Sequence, residues 1–232
     1  PSTPSDLNLT IKLVYVQSDN TSVPVFNNGE YPIITSGDGT QVGDVVKIVN
    51  EEFYVIENDG ENIKMLAKYN LYVNGWYSTK TKVLTPYENP TGLQDPQMIG
   101  YTEDGVIRHG IVPYSDTAYW VDPNKSYTRY VYNENSKAYQ YIENYKQYIE
   151  KQGVIVKEAR LMQYSEISAL GCGGGNCLNG PEWIYATTFY TGSARTDEFL
   201  WSTDTRGMFG SIAYYANSDG VRPVLVIPLS EF

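Results

Sequence analysis

A single segment of this 232-residue sequence, NSKAYQYIENYKQYIEKQG (135–153), carries the spacing of a long amphipathic helix. Its apolar residues recur at intervals that place them on one helical face: Ala138, Tyr141, Ile142, Tyr145, Tyr148 and Ile149. Ser136 is the expected N-cap and Gly153 the expected residue just beyond the C-terminus. The rest of the chain must be explained mainly by strands and loops.

Strand patterns stand before and after this helix. GDVVKIVNEEFYVIENDGENIKMLAKYNLYV (43–73) predicts three strands, VVKIV, EFYVI and IKMLA, with a hairpin turn at Asp59-Gly60. VIVKEARLM (154–162) predicts another strand. Residues 183–228 predict three or four more, with turns at TDTRG and NSDG.

A second, shorter helix is predicted over YSEISALG (164–171), with Ser165 as its N-cap. The order of strands, long loops, helix, strand, short helix and strands is typical of an α+β protein with mostly antiparallel pairing. We divide the chain into an N-terminal linker and β-rich segment (1–42) and one domain (43–232). Long polar and aromatic loops occupy 74–134 of that domain.

Charge and composition limit the class of partner. The net charge is −10 and the basic residues are scattered, which argues against nucleic acid and against an anionic membrane surface. No apolar run approaches the roughly 18–20 residues that span a bilayer. The 22 tyrosines suit a half-exposed binding face, or equally the pleated surface of an ordinary β-rich extracellular protein. The start, PSTPSDLN, reads as a linker, so we expect a signal peptide or membrane anchor upstream of it.

The only two cysteines, Cys172 and Cys177, flank a run of glycines in LGCGGGNC. Two thiolates are too few for a closed zinc site, and the C-x-x-C spacing of thioredoxin-like motifs is absent. We expect a disulfide that closes a short loop, with Gly173 to Gly175 supplying unusual backbone angles. A disulfide indicates an oxidising compartment. A metal or redox site is the alternative, which two free thiols would favour.

Few residues of the sequence are candidates for catalysis. The only histidine, His109, lies in GVIRHGIV without a G-x-S-x-G partner motif, and no phosphate-binding glycine motif occurs. The carboxylate pairs Glu51/Glu52 and Asp197/Glu198 are sequence neighbours, so on a strand they point to opposite faces. We interpret them as solvated surface, although abundant carboxylates leave an acid/base pair open. The expectation is a protein that is not an enzyme.

Two turns have the oxygen-rich composition of calcium loops, ENDGEN (57–62) and NSDG (217–220). Neither shows EF-hand spacing, and turn chemistry explains both stretches equally well. A structural calcium therefore stays open. No other cofactor and no catalytic metal is expected.

The C-terminal third is dense in aromatic residues interleaved with Ser, Thr, Asp and Arg. Nine aromatics lie between residues 183 and 215: Trp183, Tyr185, Phe189, Tyr190, Phe199, Trp201, Phe209, Tyr214 and Tyr215. Neighbours such as Tyr214 and Tyr215 point to opposite strand faces, so the nine cannot all be core. Some are candidate ligand contacts, and ordinary strand packing is the competing interpretation.

Several motifs resemble one fold family. ARLMQYSEISALG (159–171) resembles the R-L-P-T-x-x-E-W segment of the formylglycine-generating-enzyme branch of the C-type-lectin-like fold. GVRPVLVI (220–227) resembles the closing strand of that branch and of the variable proteins of diversity-generating retroelements. EFYVIENDGENIKMLAKYNLYV (52–73) and the block from YATTFY to GVRPV (185–224) are similar to Gram-positive surface and prepilin-like proteins of unknown function.

The resemblance implies a lectin-like scaffold that presents strands and loops for binding. It does not imply the oxidase, because residues 195–228, which correspond to the region of the catalytic cysteines in that branch, contain no cysteine. The Glu-Pro-Asn or Gln-Pro-Asp triplet with which true C-type lectins bind calcium and sugar is also missing.

We therefore expect a secreted or cell-surface module, of Gram-positive bacterial type, that binds a protein or glycan through residues 190–217. The expected contacts combine stacking area with orienting charges: Tyr190, Arg195, Asp197, Trp201, Arg206, Tyr214 and Tyr215. The alternative is a structural subunit of a pilus or other surface assembly, in which the same face contacts a neighbouring subunit. Neither nucleic acid nor direct membrane insertion by this segment is expected.

Overall fold

The chain is an α+β protein with antiparallel sheets. The computed structural model describes residues 34–36, 41–48, 50–72, 76–78, 83–85, 93–99, 106–107, 132, 134, 136–196, 199–213 and 219–232. The strands are β1 (Ile34–Ser36), β2 (Val45–Ile48), β3 (Glu51–Asn58), β4 (Asn62–Ala67), β5 (Trp76–Ser78), β6 (Val83–Thr85), β7 (Val106–Ile107), β8 (Glu158–Leu161), β9 (Phe189–Ala194), β10 (Phe199–Thr203), β11 (Phe209–Ala213) and β12 (Pro223–Pro228). The helices are α1 (Lys137–Lys151) and α2 (Tyr164–Ala169), with short 3-10 turns at Glu182–Ile184 and Leu229–Glu231.

The strands form three sheets in the described part of the chain. The largest has the order β1-β2-β3-β4-β12-β8, and two three-stranded sheets have the orders β11-β10-β9 and β6-β5-β7. β1 belongs to the predicted N-terminal segment yet pairs with β2, so the large sheet begins before residue 43. The stretch predicted as long loops contains β5, β6 and β7.

β12 is an interior strand of the large sheet, between β4 and the edge strand β8. Leu225 is opposite Met65 on β4 and Ala159 on β8. Its run of apolar residues is buried on both faces, the pattern of a strand covered from two sides. The last strand of the sequence is therefore inserted between two earlier strands rather than added at the edge of the sheet.

Helix α1 covers one face of that sheet, as its apolar stripe predicts. Ala138, Ile142, Tyr145 and Ile149 are buried against sheet residues that include Met65 and Leu225. The predicted helix ends are confirmed. The Ser136 hydroxyl accepts a hydrogen bond from the backbone N–H of Tyr139 at 3.3 Å, and Gly153 has φ of 95°.

The opposite face of the sheet packs on a second apolar cluster. Leu66 and Val224, the strand neighbours of Met65 and Leu225, lie in this cluster because successive side chains alternate between faces. Helix α2 contributes Ile167, and the two cysteines complete the packing. Two cores on two faces of one sheet define the scaffold.

The prediction that Ser165 caps α2 is wrong. The cap is Gln163, whose backbone N–H donates to the Glu166 carboxylate at 2.7 Å. Glu166 also accepts two hydrogen bonds from the guanidinium of Arg160, which is buried on β8. This ion pair fixes Glu166 in the first helical turn, so the helix begins before Ser165.

The strand predicted at 154–162 is shorter than expected. Val154 and Val156 are buried in the core, but β8 begins only at Glu158, where pairing with Val226 of β12 starts. Beyond β8, the backbone N–H of Gly192 donates to Met162 O at 2.8 Å. That hydrogen bond attaches the β9–β10–β11 sheet to the end of β8.

Candidate functional site

Trp201, a predicted contact residue on β10, is the centre of an aromatic cluster. Its ring centroid lies 4.8 Å from that of Tyr164 at the start of α2 and 4.9 Å from that of Phe209 on β11. The Arg195 guanidinium carbon lies 4.9 Å from the Trp201 ring centroid, within cation–π range. Trp201 is only half-buried, so the cluster reaches the surface.

Strand register explains why these side chains meet. Thr203 is opposite Phe209, which makes Phe209 a diagonal neighbour of Trp201 on the same sheet face. The backbone N–H of Arg195 donates to Phe199 O at 2.7 Å, so Arg195 lies across from the start of β10. Cross-strand pairing therefore places the cation on the Trp201 face.

The disulfide between Cys172 and Cys177, predicted from the sequence, is present. It closes a loop whose Gly174 and Gly175 have φ of 59° and 92°, angles that favour glycine. The loop pairs with the chain entering β11: Cys177 N–H donates to Gly207 O at 2.7 Å. The cysteines therefore hold a loop against the candidate site, and both are buried.

Leu178 and Met208 are exposed apolar side chains on this part of the surface. They are 65% and 48% exposed. Leu178 Cδ2 is 2.8 Å from the position that a Cβ on Gly207 would occupy, so Leu178 packs directly over Gly207, the residue before Met208. We call Tyr164, Leu178, Arg195, Trp201, Arg206, Met208 and Phe209 together the Trp201 region.

The structure brings together two of the seven predicted contact residues, Arg195 and Trp201. Arg206 lies in the turn between β10 and β11, where its Nε is 3.0 Å from Asp204 Oδ2. Tyr190 differs from the prediction because it is fully buried. It is opposite Ser202, and β-strand alternation turns it into the core on the α1 side.

The other predicted residues, Asp197, Tyr214 and Tyr215, lie outside the described residues, as does His109. Tyr164 and Leu178 were not among the predicted contacts. Tyr164 precedes the predicted cap, and only the tertiary fold brings it to Trp201. Leu178 could have been noticed as an apolar residue directly after the glycine-rich cysteine loop.

Glu51 is not the solvated surface carboxylate that the sequence predicts. It is buried and accepts hydrogen bonds from Leu93 N–H at 2.8 Å, Gln94 N–H at 2.9 Å and the Tyr145 hydroxyl at 3.0 Å. Burial raises the pKa of Glu51, and these three hydrogen bonds oppose the rise. The network ties residues 93–99 to β3 and α1, while Glu52 on the opposite strand face pairs with Lys68 at 2.8 Å.

Comparisons of the chain with protein-family models, with curated proteins and with solved structures found no match. Within the described ranges, no three His, Cys, Asp or Glu side chains are grouped as metal ligands. In that same part of the chain, no helix is both long and apolar enough to cross a bilayer.

Proposed function

We propose that this chain is a binding module that recognises a protein ligand through the Trp201 region. The observation that carries the proposal is a half-buried tryptophan on β10 with a guanidinium over its ring. Two exposed apolar side chains lie at the β10–β11 turn of the same sheet: Met208 belongs to that turn, and Leu178 packs against its Gly207. Tryptophan, tyrosine, arginine and methionine are the side chains that protein interfaces favour at their energetic centres.

The disulfide loop supports this role because it restricts the backbone next to Leu178. A ligand that contacts Leu178 then meets a side chain one residue beyond a closed loop that pairs with the entry to β11. Ordering cost subtracts from affinity, so a preformed surface binds more tightly than a mobile one.

The proposal also includes the type of scaffold and the cellular location of the protein. The α+β order and the antiparallel sheets are compatible with a C-type-lectin-like scaffold, in which strands and loops carry the ligand. The disulfide supports a secreted or cell-surface location, since such bonds persist in oxidising compartments. A Gram-positive surface remains the proposed setting.

The test is a screen of the purified chain against arrays of extracellular proteins and of glycans, repeated with surface variants. Leu178→Ser with Met208→Ser removes apolar area and leaves the packed cluster intact. Ile155→Ser is the matched control, because Ile155 is 58% exposed and lies between α1 and β8. We expect a protein ligand whose affinity falls at least about tenfold in the double variant and stays unchanged in the control.

Three outcomes contradict parts of the proposal. Equal binding by wild type and double variant removes the Trp201 region as the site. Binding to glycans alone would show that the ligand is a carbohydrate rather than a protein. Self-association in sedimentation that the double variant abolishes favours the alternative, a structural subunit of a pilus or other surface assembly.

A further inference from the structure

Asn70, three residues after the end of β4, lies at a buried junction of four separate chain segments. Its Nδ2 donates to Met98 O at 2.5 Å and to Thr188 O at 3.0 Å. The fourth segment contains Gly220, which packs against the Asn70 side chain. A Cβ at this position would lie 2.2 Å from Asn70 Nδ2, too close for any residue other than glycine. We call Asn70, Asp95, Thr188, Asp219 and Gly220 the Asn70 junction.

Backbone hydrogen bonds join the members of this junction to one another. Asp95 N–H donates to Asn70 O at 3.0 Å, and Gly220 N–H donates to Thr188 O at 3.0 Å. All of the side chains are more than nine-tenths buried. The junction is therefore a closed part of the fold rather than a surface turn.

Three side-chain oxygens at the junction have no hydrogen-bond partner among the described residues: Asn70 Oδ1, Asp95 Oδ2 and Thr188 Oγ1. Asp95 is 1% exposed, and its other oxygen accepts from Gln97 N–H at 2.8 Å. No lysine or arginine of the described chain forms an ion pair with it. A buried carboxylate without a counter-charge is costly.

We propose that the Asn70 junction binds a calcium ion, with Asn70 Oδ1 and Asp95 Oδ2 as ligands and Thr188 Oγ1 as a third oxygen. Calcium takes carboxylate, amide, carbonyl and water oxygens in flexible geometry, which fits this mixed donor set better than the strict octahedron of magnesium. Asp219 adds a second buried carboxyl one residue from Gly220. The site differs from the turn ENDGEN, where Asp59 is exposed and its Oδ1 accepts backbone hydrogen bonds from Glu61 and Asn62.

A cation accounts for the junction better than a buried water does. Water can donate to two of the oxygens, but it leaves the charge of Asp95 uncompensated. The ion would hold residues 93–99 and the entry to β9 against the large sheet.

The experiment uses the 232-residue chain, treated with chelator and dialysed, then titrated with calcium chloride by calorimetry and by thermal melting. We expect one binding event per chain. At about 100 times Kd, mass action raises Tm by roughly 5–10 °C for a chain of this size. Magnesium at the same concentration should produce a smaller shift.

Two variants locate the ion. Asp95→Asn keeps the size of the side chain and removes its charge, so calcium affinity should fall at least about tenfold. Asp59→Asn is the matched control, and its calcium response should equal that of wild type. Without calcium, Asp95→Asn should melt at or above the wild-type temperature, because it removes an uncompensated buried charge.

A wild-type crystal grown with calcium gives a readout that does not depend on the variants. Anomalous scattering should show one calcium bonded to Asn70 Oδ1 and Asp95 Oδ2. Three results would each overturn the proposal. The first is electron density for water alone at the junction, and the second is a wild type that shows neither heat of calcium binding nor a shift in Tm. The third is equal calcium affinity in wild type and Asp95→Asn.

Discussion

At the scale of single residues, the arginine of the GVRPV motif shows what holds the scaffold together. Arg222 is fully buried and donates to three backbone carbonyls, those of Ala67, Trp183 and Ile184. Its guanidinium carbon lies 5.1 Å from the Phe189 ring centroid. Burial lowers the pKa of Arg222 to about 9, which leaves the group charged at neutral pH. One side chain thus fastens β4 and the Glu182–Ile184 turn to the entry of β12.

Arg222→Met should therefore destabilise the protein strongly. Methionine fills part of the space but leaves three buried carbonyls without donors, at a cost of about 2–4 kcal/mol in free energy of unfolding. Urea unfolding measures the loss. Arg206→Met, at an exposed arginine paired with Asp204, is the matched comparison and should change stability by less than about 1 kcal/mol. Similar losses in the two variants would contradict the role assigned to Arg222.

Glu51 predicts a pH dependence of stability. Burial raises its folded-state pKa above the ordinary value of 4.5, so the folded state holds the proton more tightly than the unfolded state does. Its contribution to stability is then fully present below about pH 4.5 and is lost as the pH rises through the folded-state pKa.

Glu51→Gln removes this titration. The variant should be less stable than wild type at pH 4 by about 1–3 kcal/mol, because an amide cannot accept the hydrogen bonds from Leu93, Gln94 and Tyr145 on both of its polar atoms. Urea unfolding from pH 4 to pH 7 should show this difference shrinking. A difference that widens towards pH 7 would mean that the hydrogen bonds outweigh burial.

At the scale of elements, the two helices begin by different means. Helix α1 begins at a serine whose hydroxyl accepts from the first turn, as its sequence predicts. Helix α2 begins at Gln163, because the Glu166 carboxylate, paired with Arg160, accepts from the backbone there. The first cap is a serine hydroxyl, whereas the second is a glutamate of the first helical turn that an arginine on β8 holds in place.

Paired substitutions distinguish the two caps. Ser136→Ala removes the acceptor for Tyr139 N–H and should lower the free energy of unfolding by about 1 kcal/mol. Ser165→Ala should change it by less than about 0.5 kcal/mol, because Ser165 is exposed and caps no helix. Chemical denaturation of both variants is the measurement, and an equal loss would show that Ser165 contributes to the start of α2.

At the scale of the whole molecule, the local patterns of the sequence predict both helices and the strands β2, β3, β4 and β9 to β12, but not the strands β5, β6 and β7. The apolar stripe of α1, the hairpin at Asp59-Gly60 and the strands of the C-terminal third follow from periodicity and turn chemistry. The cysteine loop was predicted from its spacing and glycines. These features depend on residues close together in the chain, which a sequence shows directly.

The side-chain positions that the sequence does not predict depend on contacts between residues far apart in the chain. Tyr190 reads as a candidate surface residue, yet pairing with Ser202 turns it into the core. Glu51 reads as solvated, yet residues 93–99 fold over it and supply its donors. Both side chains are placed by strand register and loop docking, which periodicity alone does not encode.

The proposed function depends on contact between the Trp201 region and the ligand. Hydrogen exchange of the chain, with and without the protein ligand found in the screen, tests it most directly. We expect added protection at residues 172–178 and 199–209, with none on helix α1. Protection confined to α1 or to β2 and β3, with the Trp201 region unchanged, would contradict it.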